Sequence, residues 1–182
     1  MSRSLSSVQG LTEEHKVGEF ACGRRELDEW LRSYALDSDR RDVARTFVVC
    51  RGERRVVGYY SLTMGAVRMT DAPKKLVRGL PNYPIGMVLL ARLAVDREEQ
   101  GTGLGAELLA DALVRAVHAG ESAAARLVVV DAIDEQAAAF YRRFGFLPAP
   151  EQSLRLFRRI KDIRASIEQA RHVESGQVKK WA

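Results

Sequence analysis

The sequence predicts an α/β fold built on a mixed sheet. Three observations carry this across the 182 residues. Amphipathic helical stretches alternate with short β-branched or apolar runs. Met87 to Val95 (MVLLARLAV) is a near-continuous apolar run, the mark of a strand buried on both faces. A glycine-rich turn from Gly101 to Gly105 follows it and opens a helix.

The elements follow in order. Residues 25–36 read as one helix, because Leu27, Trp30, Leu31 and Tyr34 fall on one stripe. Thr46 to Cys50 and Val56 to Val67 read as strands joined by the charged turn Arg51-Gly52-Glu53-Arg54. Residues 70–86 hold three of the five prolines and read as a loop with one helical turn, a length that marks a functional or a disordered segment. After the buried strand and the polar turn from Asp96 to Gln100, Leu104 to His118 reads as a helix and Leu127 to Val130 as a short buried strand. Asp134 is an N-cap for a helix through Phe140 and Tyr141 that stops at Gly145. Phe140 and Phe144, one turn apart, read as core. Short strands follow at Phe146-Leu147 and from Leu154 to Ile160. The predicted domain therefore spans 1–160, and 161–182 is a polar extension, helical and then frayed.

Composition excludes several classes. Hydrophobic residues are 46% and charged residues 29%, a globular balance rather than a disordered one. The longest apolar stretch is interrupted by Arg92, far short of the roughly 20 residues a membrane helix needs. The segment MSRSLSSVQG has no apolar signal core, so the cytoplasm is the expected compartment. Cys22 and Cys50 form neither a metal motif nor a disulfide framework. The net charge of +5 permits an anionic partner without requiring one. The cations cluster: Arg40, Arg41, Arg45, Arg51, Arg54 and Arg55; then Lys74, Lys75 and Arg78; then Arg142, Arg143, Arg155, Arg158, Arg159 and Lys161. Each cluster taken alone reads first as a solvated face.

The segment Leu93-Ala-Val-Asp-Arg-Glu-Glu-Gln-Gly-Thr-Gly-Leu-Gly105 carries chemistry. Glycines at alternate positions leave backbone N–H groups unshielded, and the following helix N-terminus adds partial positive charge. That is a cradle for a pyrophosphate. It lacks the Gly-Lys-Ser/Thr end of a P-loop, and it does not follow the first strand as a dinucleotide fingerprint does. His15, His118 and His172 read as surface or structural groups, and Cys50 as a buried thiol rather than a nucleophile.

Gln100-Gly-Thr-Gly-Leu-Gly105 and Ala139-Phe-Tyr-Arg-Arg-Phe-Gly-Phe146 together resemble the GNAT superfamily of acetyl-CoA-dependent N-acetyltransferases. The segments Cys22-Gly23, Leu27-Asp28, Trp30-Leu31, Ala44 to Val49, Gly58 to Leu62 and Leu90 to Asp96 resemble the GNAT toxins of bacterial toxin–antitoxin modules. The likeness spans about residues 8–160, although Asn82-Tyr-Pro-Ile-Gly86 departs from the family's Pro-Ile-Pro. The resemblance implies a GNAT fold, with a mixed, mostly antiparallel sheet, a central splay and flanking helices. It implies that the backbone of Leu93, Ala94 and Val95 holds the pantetheine arm of acetyl-CoA. Gln100, Gly101, Thr102, Gly103, Leu104 and Gly105 would hold its pyrophosphate, and no metal is implied. Tyr141 falls at the family's general-acid position.

The implied function is an N-acetyltransferase toxin that acetylates the α-amino group of aminoacyl-tRNA by direct transfer and blocks translation. Arg92, Lys74, Lys75, Arg78 and Arg45 are then the candidate tRNA contacts, Arg92 because a charge inside an apolar run needs a partner or a ligand. The alternatives are acetylation of a small amine or a protein N-terminus, and a non-catalytic CoA-binding scaffold. The resemblance further implies a homodimer and a ribbon-helix-helix antitoxin through which alone operator DNA is reached.

Overall fold

The structure is a computed structural model, and it describes residues 4–179. Two compact units divide the chain: Met1–Thr63 with Leu90–Ala112, and Met64–Leu89 with Leu113–Ala182. A seven-stranded sheet runs in the order β1-β2-β3-β4-β5-β7-β6, comprising β1 (Gln9–Gly10), β2 (Arg45–Arg51), β3 (Arg55–Val67), β4 (Ile85–Val95), β5 (Leu127–Asp131), β6 (Leu147–Pro148) and β7 (Arg155–Arg159). The pairs β1–β2, β2–β3, β5–β7 and β6–β7 are antiparallel. The expected mixed sheet with flanking helices is present.

The first unit is organised by β3. Val56, Val57, Tyr59 and Tyr60 are fully buried, so both faces of this strand are covered. One face takes Tyr59 against Phe20 and Trp30. The other takes Tyr60, whose hydroxyl donates to Asp111. Asp111 lies on α4 (Leu104–Ala123), and this helix approaches β3 so closely that a Cβ on Gly58 would stand 2.9 Å from the Leu108 side chain. Glycine at 58 therefore allows this close helix–strand approach, beside the register shift where Val49 pairs with Gly58 and Cys50 with Val56.

The helix expected over 25–36 is two. α1 (Arg25–Ser33) ends at Tyr34, and α2 (Ala35–Arg40) restarts beyond it. Tyr34 is exposed rather than on the buried stripe, while Ala35 is fully buried. Turning the chain at Tyr34 places the smaller residue against the core and returns the polypeptide to β2.

In the second unit the loop expected at 70–86 forms a short helix, α3 (Lys74–Val77), after a 3-10 turn at Met69–Asp71. Leu76 and Val77 are buried with Val67, Ile85, Leu127 and Phe157, while Lys74 and Lys75 face solvent. The Arg126 Nε donates to the Leu76 carbonyl at 2.9 Å, closing the helix end. α5 (Glu135–Arg143) starts as predicted: Asp134 accepts the Ala137 N–H at 2.8 Å. It stops at Gly145, with φ of 83°, where an L side chain is strained. α6 (Ile160–Lys179) begins directly after β7, and its first turn is core, with Ile160 and Ile163 buried. Residues 180–182 of the expected frayed end lie outside the described residues.

Candidate acetyl-CoA site

The turn between β4 and α4 is held from beneath by buried acids. Asp96 is 2% exposed; its carboxylate accepts the N–H of Ala21 at 3.0 Å and of Glu98 at 3.1 Å. Its own N–H donates to the Val57 carbonyl. Glu99 is also buried and receives a two-pronged contact from Arg51, which holds its carboxyl below the usual range. The Gln100 side chain donates to the carbonyls of Cys22 at 2.8 Å and Val95 at 2.9 Å. Gln100 therefore ties the turn to the end of β4 and to the 21–23 segment, and its amide N–H groups are used in doing so. Arg97 N–H bonds Ala21, and the Arg97 guanidinium lies against Gly23, whose φ is +98°. Sequence reasoning missed Asp96, Glu99 and Arg51, because burial of a charge leaves no periodic signal.

Above this base the glycines are open. Gly101 and Gly103 adopt φ of +77° and +94°, and nothing lies within 4 Å of where their Cβ atoms would stand. Thr102 N–H bonds the Glu99 carbonyl, and Ala106 and Glu107 bond back to Gly103. The N–H groups of Gly101, Gly103, Leu104 and Gly105 donate to nothing among the described residues. Four free donors in five residues, at the N-terminus of a 20-residue helix, fit a diphosphate. On β4, Ala94 is buried and Leu93 and Val95 are half-buried.

Tyr141 lies in the second unit. It is 6% exposed, with Phe140 at 5.2 Å and Phe146 edge-on at 5.7 Å. The expectation that Phe140 and Phe144 are core is corrected: both are half-buried, and Tyr141 is the buried member of the trio. α5 is rotated so that the phenol points inward with its ring sheathed by aromatics. Burial alone raises its pKa above the ordinary phenol value, and its hydroxyl bonds to no described residue.

The candidate RNA contacts fare unequally. Lys74, Lys75 and Arg78 are exposed and face no carboxylate among the described residues. Arg45 is engaged by Asp39 at 2.8 Å and by Asp42, which together cancel its charge. Most of its cluster is similarly matched: Arg40 by Glu13, Arg41 by Asp37, Arg51 by Glu99, Arg54 by Glu14 and Arg55 by Glu98. Arg92 stands on β4 with its guanidinium 4.0 Å over the Trp30 ring. His15 accepts the Thr12 N–H at 2.9 Å, and burial with Asp28 nearby pushes the Cys22 thiol up to about 11. No group of three or more metal-ligating side chains occurs among the described residues.

The Acetyltransferase (GNAT) family matches residues 9–146. The chain belongs to the GNAT acetyltransferase family. A tRNA-acetylating toxin of Mycobacterium tuberculosis (strain ATCC 25618 / H37Rv) is 42% identical over 162 residues, 89% of this GNAT chain and 96% of its own length. A structure of AtaT complexed with acetyl-methionyl-tRNAfMet matches with a TM-score of 0.83 at 30% identity, covering 90% of this chain and 99% of that one. A tyrosine-to-phenylalanine variant of the AtaT toxin, bound to the C-terminus of the antitoxin AtaR and acetyl-CoA, matches with a TM-score of 0.76 at 29% identity, covering 89% and 97%.

Proposed function

We infer that this protein is an acetyl-CoA-dependent N-acetyltransferase toxin that acetylates the α-amino group of aminoacyl-tRNA and so blocks translation. The observation that carries the reading is the open cradle at 101–105, four unpaired amides on a glycine turn, in a chain 42% identical to a tRNA-acetylating toxin. Lys74, Lys75, Arg78 and Arg92, candidate contacts without an acid partner among the described residues, favour a polyanionic substrate over a small amine or a protein N-terminus. Arg45, already matched, adds little.

Bound acetyl-CoA supplies the acetyl thioester. Gly101, Gly103, Leu104 and Gly105 hold its diphosphate through backbone N–H groups, and Thr102 and Gln100 shape the turn that presents them. The backbone of Leu93, Ala94 and Val95 aligns the pantetheine arm. No strong base is needed: an α-amino group titrates near 7.7–8.0, so a useful fraction is neutral at pH 7. The departing thiolate is the harder problem, since a thiol titrates near 8.5. Tyr141 donates the proton to that sulfur, and its raised pKa keeps it protonated throughout the working range. Alignment of amine and thioester supplies most of the remaining acceleration.

An antitoxin covers the toxin, and DNA is reached through that complex. A homodimer is the expected assembly. Among the described residues no helix is long and apolar enough to cross a membrane, and a tRNA substrate supports a cytoplasmic location. The test is mass spectrometry of bulk charged tRNA after incubation with the protein and labelled acetyl-CoA. N-acetylaminoacyl products are expected; their absence, with labelled small amines appearing instead, would transfer the assignment to the alternative.

A further inference from the structure

Arg92 differs from the arginines around it in the first unit. Arg40, Arg45, Arg51, Arg54 and Arg55 meet carboxylates, whereas Arg92 meets an aromatic face and no carboxylate or carbonyl among the described residues. It is half-buried, and burial lowers its pKa. Trp30 beneath it is itself stacked on Tyr59, with centroids 5.9 Å apart and planes 16° from parallel. Tyr59 is locked by a 2.7 Å bond from its hydroxyl to the Leu27 carbonyl and by the edge of Phe20 at 5.4 Å. The result is a column, Phe20–Tyr59–Trp30–Arg92, rooted in the core and ending in a guanidinium. The strand pleat explains the placement. Arg92 shares its side of β4 with Ala94, two residues on, and Ala94 packs in the same core as Tyr59.

A guanidinium resting on a ring spends its flat face on the contact and keeps its in-plane N–H donors free. No Arg92 nitrogen is among the buried side-chain atoms that lack a partner, so its donors are within reach of a ligand. The planar fork matches two oxygens of a phosphate. We propose that Trp30 is a positioning residue, which holds Arg92 so that its N–H fork takes one backbone phosphate at the single-stranded acceptor end of the tRNA substrate. The proposal rests on the tRNA-acetylating reading above and adds a named anchor to it.

The test is steady-state kinetics of the full chain on bulk charged tRNA, with KM measured from about 50 to 200 mM salt. Arg92→Gln and Trp30→Ala are each expected to raise KM for charged tRNA about tenfold, leaving kcat within about twofold and KM for acetyl-CoA unchanged. Each should reduce the slope of log KM against log salt by about 0.7, the share of one phosphate on a single strand. The double variant should be no worse than Arg92→Gln alone. Trp30→Phe keeps a ring face and should recover most of the affinity. If thermal melts show that Trp30→Ala does not fold, Trp30→Leu, which fills the space without a π face, replaces it. Additive effects in the double variant would overturn the proposal. So would an unchanged salt slope in Arg92→Gln, which would assign Arg92 to base stacking or to packing alone. A wild-type protein that acetylates no charged tRNA would overturn the functional reading. An active wild type with unaffected variants would overturn only this inference.

Discussion

Replacing Tyr141 by Phe removes one oxygen and leaves the aromatic cluster with Phe140 and Phe146 in place. The expected result is a fall in kcat of about 10²–10³ with little change in melting temperature, the range a positioned general acid contributes. The sign of the pH dependence follows from burial. Because the folded pKa is raised, the donor form persists at higher pH than for a free phenol, so kcat should show no alkaline fall between about pH 9.5 and 10.5, where a solvated phenol ionises. Initial-rate profiles check this; a descending limb in that window would place the phenol in a wetter setting. A different residue-scale test belongs to the cradle. Gly103→Ala forces a side chain into φ of +94°, a cost of about 1–2 kcal/mol. The expected consequence is a roughly tenfold rise in KM for acetyl-CoA and none for tRNA. The Gly101–Gly105 pattern made this site legible from the sequence, because glycine at alternate positions has few other uses. Burial of Tyr141 was not legible: a single helical turn carried three aromatics, and spacing alone favoured Phe140 and Phe144 as the core pair.

At the scale of elements, the cradle depends on what holds the turn to β2 and to the 21–23 segment. Glu99 is buried against Arg51, and its carboxyl is held low first by that hydrogen bond. A depressed folded pKa stabilises above the unfolded value of about 4.3 and ceases to stabilise as pH falls through the folded one. Glu99→Gln is therefore expected to cost about 1–3 kcal/mol at pH 7 by removing the ionic partner of Arg51. It should also flatten the loss of stability below about pH 4.5, read by denaturant melts across pH. Equal acid sensitivity in both proteins would contradict the assignment. The strands, the N-cap at Asp134 and the stop at Gly145 were readable because local chemistry decides them. The break at Tyr34 and the short strand β1 were not, since tertiary burial of Ala35 and pairing of Gln9 with Val48 decide those. The single helical turn expected within 70–86 is α3, fixed by burial of Leu76 and Val77.

Over the whole molecule the charge count was a poor guide to where an anion would bind. Most arginines of the cluster at 40–55 are matched by carboxylates from distant segments, a pairing that sequence order conceals. Among the candidate contacts, those without a carboxylate partner among the described residues are Lys74, Lys75 and Arg78 in one unit and Arg92 in the other. Reversing charge at Lys74 and Lys75 together is expected to raise KM for charged tRNA at least tenfold and to flatten its salt dependence, while Arg40→Glu should do little. We also propose that the domain ends inside α6 rather than before it, because Ile160 and Ile163 are buried. A chain ending at Glu168 should keep its melting temperature within a few degrees, and one ending at Ile160 should lose about 2–4 kcal/mol with the Ile163 side chain.

The most direct measurement is single-turnover transfer from labelled acetyl-CoA, pre-bound at saturation, to charged tRNA by wild type and Tyr141→Phe, with acetyl-CoA affinity determined by calorimetry for both and for Gly103→Ala. The expected result is unchanged affinity and a rate at least about 100-fold slower for Tyr141→Phe, with weakened affinity confined to Gly103→Ala. Full-rate transfer by Tyr141→Phe, or undiminished acetyl-CoA binding by Gly103→Ala, would contradict the assignment of proton donor and diphosphate cradle.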